Sequence, residues 1–423
     1  MVEFVLIYVC ILTFYAYNRH KRIDLATGIS IVYLISLVFS VVMFNDSLLR
    51  NQYGDFSLEA SIVFCLLFTL NLTPFISHSN LYIRRVKPIA NNKMLDYIVY
   101  IGFTFLIISI IGSINTVVMI LTGGNILELR QEMYRGESDL GMSYAFVPSF
   151  LMPLITLLNM IYGNNIIFIF LFFCSLAFFN KSKKYNILIL CISLLGPLQG
   201  IVGVDRSKMA YWIITFVICF FLFKNYMNKE NLKFVKKMSI PFVVLAVLYL
   251  GLVTVSRFET SDAGSGGSLV EYLGQPFPNF ANFYDDFEPT FFSLQRIFPL
   301  TYRFILGSEY QGATDFNAYM SFMSGTEIGV FATYLGDIIT GSGKLVSILF
   351  ALAFSIISFS STRKMRRGYV TIFDLYIFFI LGSVMFCGIF LHYYNGYPRM
   401  FSSIFFAVYF KLMCNSKNNI KNF

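Results

Sequence analysis

Apolar runs about as long as a bilayer is thick recur along this chain, and they decide what it can fold into. They fall at 2–17, 25–44, 58–77, 95–121, 144–161, 165–180, 187–203, 208–223, 239–256, 343–361, 369–391 and 400–414. Crossing roughly 30 Å of hydrocarbon takes about 20 apolar residues in a helix. Every backbone N–H and C=O in that layer needs an internal partner, so only helices or a closed barrel can span it. The runs are too continuous for the alternating pattern of a barrel strand. The expectation is an all-α, polytopic helical membrane protein with about 11–12 transmembrane helices and no independent soluble domain. Composition agrees: 57% of the 423 residues are hydrophobic and 13% charged, about half the charge of a soluble domain.

Charge is distributed by loop. Arg19–Arg22, the stretch from Arg84 to Lys93, the stretch from Lys224 to Lys237, and Arg363–Arg367 are strongly basic. The segment 257–341 has three arginines, no lysine and ten acids, a net charge of −7. Basic loops stay cytoplasmic, so 257–341 is expected outside, with 45–57 and the turn His392–Arg399. The net charge of +9 is thereby assigned to topology rather than to nucleic acid. The organisation expected is an N-terminal transmembrane bundle over 1–256, a long periplasmic loop over 257–341 and C-terminal transmembrane helices over 342–423. Met1 to Asn18 lacks a basic leader and a small-residue cleavage site and reads as a first span. The seven cysteines lie in or beside apolar runs without metal or CxxC spacing, which suits structural thiols.

One parity conflict arises. The basic loops at 84–93 and 181–184 both belong inside, yet three apolar runs separate them. Pro148, Pro153 and the Asn159–Asn165 break make a re-entrant piece within 144–180 the favoured resolution.

Motifs exclude several classes. GxxxxGK[ST], GxSxG and HExxH are absent from the sequence. Asp285, Asp286 and Glu288 could chelate a divalent cation, but a solvated acidic face is the favoured reading. The informative residues are the arginines of the outer segments: Arg206 between two apolar runs, Arg130 and Arg135 in Gly123–Ser143, and Arg257, Arg296 and Arg303 in the long loop. Arginine stays charged and offers a rigid fork of donors suited to phosphate oxygens. Each alone could snorkel to the headgroups or pair with a nearby acid. The set suits an anionic head group held at the outer leaflet. Aromatic rings in the loop, including Tyr272, Phe277, Phe280, Phe283 and Tyr284, are read as packing ahead of sugar contact.

The layout resembles the superfamily of O-antigen polymerases and O-antigen ligases. Gly203-Val204-Asp205-Arg206-Ser207 resembles the Gly-Ser-Arg-Ser turn those proteins place between two late spans, and a long outer loop follows two spans later. Asp315-Phe316-Asn317-Ala318-Tyr319-Met320 with Gly325-Thr326-Glu327-Ile328-Gly329 resembles the His-Asn-x-Tyr-Leu plus Glu-x-Gly pattern of the ligases. The Arg-x10-Gly spacing of some polymerases occurs as Arg130–Gly141 and Arg296–Gly307. Phe316 stands where the ligase pattern has histidine, which favours the polymerase.

The resemblance implies a GT-C-like bundle in a bacterial inner membrane. It implies a metal-independent glycosyltransferase that polymerises undecaprenyl-diphosphate-linked oligosaccharide units at the periplasmic face, with no cofactor. The implied partners are that lipid-linked substrate, the lipid bilayer and a chain-length regulator protein. Arg206 and Arg296 would meet the diphosphate, supported by Arg130, Arg135, Arg257 and Arg303, with Glu327 and Glu309 as candidate bases. His392, the only histidine expected outside, is a candidate substrate contact weighed against an interfacial spectator. The alternatives are a flippase or transporter of lipid-linked oligosaccharide, for which deep polar residues and an internal repeat would be expected, and an O-antigen ligase.

Overall fold

The computed structural model describes residues 1–47, 50, 53, 56–77, 85–87, 92–121, 144, 146–163, 166–179, 181–203, 206–241, 244, 270–287, 293–310, 312–325, 328, 330–365 and 369–415. Among them stand eight helices long and apolar enough to cross a membrane: Val2–His20, Leu25–Phe44, Leu58–Ser77, Lys93–Met119, Lys183–Val202, Ser207–Tyr226, Lys344–Met365 and Ile372–Ile389. Each coincides with an apolar run of the sequence, and the protein is a polytopic helical one. Two further runs differ from expectation. Most of 239–256 lies outside the described residues, and 400–414 forms the helix Tyr397–Asn415, which is not apolar enough to count among the spans. Arg399, Lys411 and two serines dilute it.

The parity conflict has a structural counterpart. Ser149–Tyr162 and Ile166–Phe179 form a helix pair bent by 61°, a broken span or a re-entrant loop. Counted as one crossing, it raises the number of spans to nine among the described residues and leaves an even number between the two basic loops.

The chain forms two compact units, one of 1–87 with 266–401 and one of 88–265 with 402–423. The second unit is built around Ile166–Cys174, whose nine residues are all buried. Phe173 meets Phe216 with ring centroids 5.1 Å apart, and Trp212 Nε1 donates to Ser193 Oγ at 3.0 Å. Tyr162 donates its hydroxyl to the Ile98 carbonyl at 2.8 Å. The seven cysteines of the chain are free thiols.

In the first unit the spans Val2–His20, Leu25–Phe44, Leu58–Ser77, Lys344–Met365 and Ile372–Ile389 enclose two shorter helices, Pro276–Asp286 and Thr333–Ser342. Pro276–Asp286 begins with proline at its first turn, where the missing N–H costs no bond. Phe277 and Phe280 each stand 5.2 Å from Phe64 of the third span, which stacks on Phe68. The loop aromatics therefore pack, as their pattern suggested. Gly274 lets the chain press on the second span, because a Cβ there would stand 2.8 Å from the Phe39 carbonyl oxygen. Beside it Ser36 and Ser40 donate to the carbonyls of Leu273 and Gly274.

Polar clasps close both ends of this unit. At one end Ser57 gives its N–H and hydroxyl to Asp285, Tyr284 donates to Glu59 at 2.8 Å, and Tyr53 donates to Glu271 at 3.1 Å. Asp285 is thus occupied in joining 45–57 to the acidic segment, the two stretches expected on one side. At the other end Arg85–Val86 pairs in parallel with Tyr369–Val370, and His20 Nε2 lies 2.8 Å from the Ile76 carbonyl oxygen. The chain beside three basic loops meets there.

Overpacking a closed contact costs typically about 1–3 kcal/mol. Gly274→Val is expected to lower the thermal midpoint of the purified protein in detergent, whereas Gly312→Val, whose Cβ among the described residues would meet the Asp315 carboxylate at an ordinary 3.6 Å, is expected to lower it less.

Candidate functional site

All ten residues of Thr333–Ser342 are buried, although the helix is half the length of a span. The Ala332 N–H donates to the Phe390 carbonyl at 2.9 Å, anchoring the entry. Thr333 has a φ of 62°, a region β-branched residues avoid. Such backbone persists only where surrounding structure holds it, and it concentrates at functional sites.

The midpoint of this helix carries a carboxylate. Asp337 Oδ1 pairs with Nη1 of Arg296, a residue 3% exposed in the turn before Pro299–Leu306. Asp337 Oδ2 accepts the His392 backbone N–H and the Asn395 side-chain amide, both at 3.1 Å. The other fork of Arg296, Nη2, donates to Oδ1 of Asn317. The guanidinium lies over the Phe316 ring, 5.3 Å from its centroid, a favourable cation–π placement. A Cβ on residue 341 would occupy the Arg296 stem, so Gly341 is the position that admits it. Two buried atoms of the cluster, Arg296 Nε and His392 Nδ1, have no hydrogen-bond partner among the described residues.

Burial raises the Asp337 carboxyl above its ordinary value, opposed by Arg296, the Asn395 amide and the His392 N–H. Arginine keeps its proton in proteins, so ionised Asp337 is the state that leaves no net charge in the cluster. Burial, reinforced by Arg296, pushes His392 down to about 3. The imidazole is neutral at pH 7 and packs on Phe350 and Tyr394, with ring centroids at 5.5 and 6.3 Å.

Arg303 makes a second, open arrangement. It is exposed on Pro299–Leu306, and its guanidinium faces the rings of Tyr310 and Tyr397 at 5.8 and 5.6 Å. Those rings meet edge to face at 5.6 Å, and Arg303 Nη1 donates to the Gly307 carbonyl. Among the described residues no carboxylate lies within ion-pair distance of Arg303. Burial raises the Tyr310 phenol, opposed by a hydrogen bond with Gln295 and by the charges of Arg303 and Arg296.

The residues singled out in the sequence therefore separate. Arg296 and Arg303 sit in one unit, the first enclosed by Asp337, Asn317 and Phe316, the second open. Glu309 is exposed in the turn Gly307–Glu309 that ends the helix carrying Arg303. His392, weighed as an outer substrate contact against an interfacial spectator, is buried, and what it supplies is its backbone N–H. Arg130, Arg135, Arg257 and Glu327 lie outside the described residues, as does the side chain of Arg206, which begins the helix Arg206–Phe223. Phe316, where the ligase pattern has histidine, is the stacking face for Arg296.

Asp337 and Asn395 were not singled out by sequence. The signal for Asp337 was an acid flanked by Leu335, Ile338 and Ile339, a context in which a charge needs a partner. No family model matches the chain, and no curated protein or solved structure matches it either.

Removing one partner of a buried ion pair costs about 3–5 kcal/mol, whereas replacing both by apolar residues costs much less. Asp337→Leu should accordingly lower thermal stability in detergent far more than the double variant Arg296→Met with Asp337→Leu; a double-variant loss equal to the sum of the two single-variant losses would show that the charges do not depend on each other. For His392 the folded value lies below the unfolded 6.5, so the unfolded chain takes up the proton first. Its contribution is fully present above pH 6.5 and shrinks as pH falls towards about 3. Asp337 titrates in the opposite sense. The difference in melting temperature between the parent and His392→Asn should therefore depend on pH, with the parent losing its relative advantage on acidification below pH 6.5.

Proposed function

We propose that this protein is a membrane glycosyltransferase that joins undecaprenyl-diphosphate-linked oligosaccharide units into a polysaccharide at the outer face of a bacterial inner membrane. The observation that carries the reading is Arg303: an exposed cation on a two-tyrosine platform, without a carboxylate partner among the described residues, in a chain of membrane-spanning helices. A cation left without an acid invites an external anion, and a guanidinium matches the paired oxygens of a phosphate. The sequence resemblance supplies the identity of that anion as a lipid diphosphate.

In this mechanism the acceptor sugar hydroxyl attacks the anomeric carbon of the growing chain. The bond from that carbon to the diphosphate oxygen breaks, and undecaprenyl diphosphate leaves with the bonding electrons. Arg303 stabilises the charge collecting on the leaving oxygens. The hydroxyl proton passes to a carboxylate, for which exposed Glu309 is the candidate. Diphosphate is already a good leaving group, so the step draws on alignment and charge stabilisation rather than on a metal. Arg296 acts at one remove, holding Asn317 in place through its second fork.

Loss of one charge-stabilising donor typically lowers kcat by about 10²–10³. In cells bearing the native pathway, Arg303→Ala should abolish long polymer and leave single lipid-linked units, at unchanged protein level and membrane insertion. Arg303→Lys should restore part of the product. Full-length polymer from Arg303→Ala would remove the residue, and this reading of its site, from the mechanism.

A further inference from the structure

The two most exposed large hydrophobic side chains among the described residues lie outside the membrane-spanning helices. Phe304, on Pro299–Leu306, is 89% exposed, and Phe322, on Ala313–Ser324, is 85% exposed. Ile305 beside Phe304 is 70% exposed, and Tyr319 and Met323 share the outward face with Phe322.

Ala313–Ser324 is apolar on two faces. Phe316 and Met320, four residues apart, are buried against the body of the unit. Tyr319, Phe322 and Met323 point away from it at helical spacing. A helix that meets water on its outer side puts charged and polar residues there. This one keeps an acid only in its first turn, Asp315. Its twelve residues span about 18 Å, too short to cross roughly 30 Å of hydrocarbon. An apolar helix face that does not span can lie in the plane of the membrane interface, buried at the boundary of headgroups and acyl chains. The flank of the patch has the chemistry of that zone. Arg303 stands among Tyr310 and Tyr397, and tyrosine and arginine are the side chains that settle at headgroup level.

We infer that Pro299–Leu306 and Ala313–Ser324 are monotopic interfacial helices that insert Phe304, Ile305, Phe322 and Met323 into the lipid of the outer leaflet, with Arg303 at the level of its phosphates. The 257–341 segment is then not a free aqueous loop but one that lies on the bilayer through this patch. The inference concerns the lipid surface and is independent of the sugar chemistry proposed above.

The test places a reporter at each position. The full-length variants Phe304→Trp and Phe322→Trp are reconstituted in vesicles of phosphatidylethanolamine and phosphatidylglycerol, and the emission added to that of Trp212 is followed. Exposed positions tolerate the exchange, and two independent sites guard against a local artefact. Lipid brominated near the glycerol end of its acyl chains is expected to quench most of the added emission at both sites, with aqueous iodide having little effect. Quenching by iodide with no effect of bromolipid would mean that the patch faces water. Protection from both quenchers would mean that protein covers it, such as a second copy of this chain. Either result would overturn the inference.

Discussion

A guanidinium and a carboxylate buried together inside a bundle of apolar helices set the terms for the first unit. Each charge alone would be intolerable at that depth, and their attraction offsets desolvation best where other donors and acceptors meet the pair as well. The Asp337 carboxylate is met by Arg296, by the backbone at His392 and by Asn395; the second fork of Arg296 is met by Asn317. These partners come from four separated stretches of sequence, so satisfying one pair of charges closes the acidic segment onto the final spans. The accommodations are visible in the backbone: glycine at 341 where the arginine stem passes, and Thr333 held at positive φ where the chain turns into the half-length helix.

This arrangement divides labour between two arginines that are alike in sequence context. Arg296 is enclosed by its acid and its aromatic face and serves as a structural tie. Arg303, seven residues on, is left on the surface over two tyrosines with no carboxylate among the described residues to match its charge. What separates them is position in the turn and helix that follow Leu294, where Ile297 and Phe298 both donate their N–H to the Leu294 carbonyl. One side chain is thereby turned into the unit and the next to its rim.

The spans were legible in the sequence because the cost of placing a backbone in hydrocarbon is local and is answered by a continuous apolar run. The break that follows Tyr162 was legible in the asparagines that interrupt the apolar run there. The short buried helices were not. Pro276–Asp286 and Thr333–Ser342 mix polar and apolar residues, and their burial comes from partners far along the chain: Phe64 for the first, Arg296 and Phe390 for the second. Counting charge assigned 257–341 a net −7 and suggested a solvated segment, yet Asp285, Glu271 and Asp337 are all occupied within the fold. Arg296 looks open to an anion in the sequence because its acid lies 41 residues away. Loop charge places the turn that carries His392 outside, and nothing in its own neighbourhood announces Phe350.

The functional account rests on an open cation at the edge of a membrane-embedded unit and on a sequence resemblance that gives its anion a chemical identity. The most direct measurement is reconstitution of the purified protein with a synthetic undecaprenyl-diphosphate oligosaccharide from its own pathway, followed by separation of the products by size. The account predicts a ladder spaced by one repeat unit, formed without nucleotide. Substrate that emerges unextended but on the opposite leaflet of the vesicle would contradict it and make the protein a transporter of the same lipid.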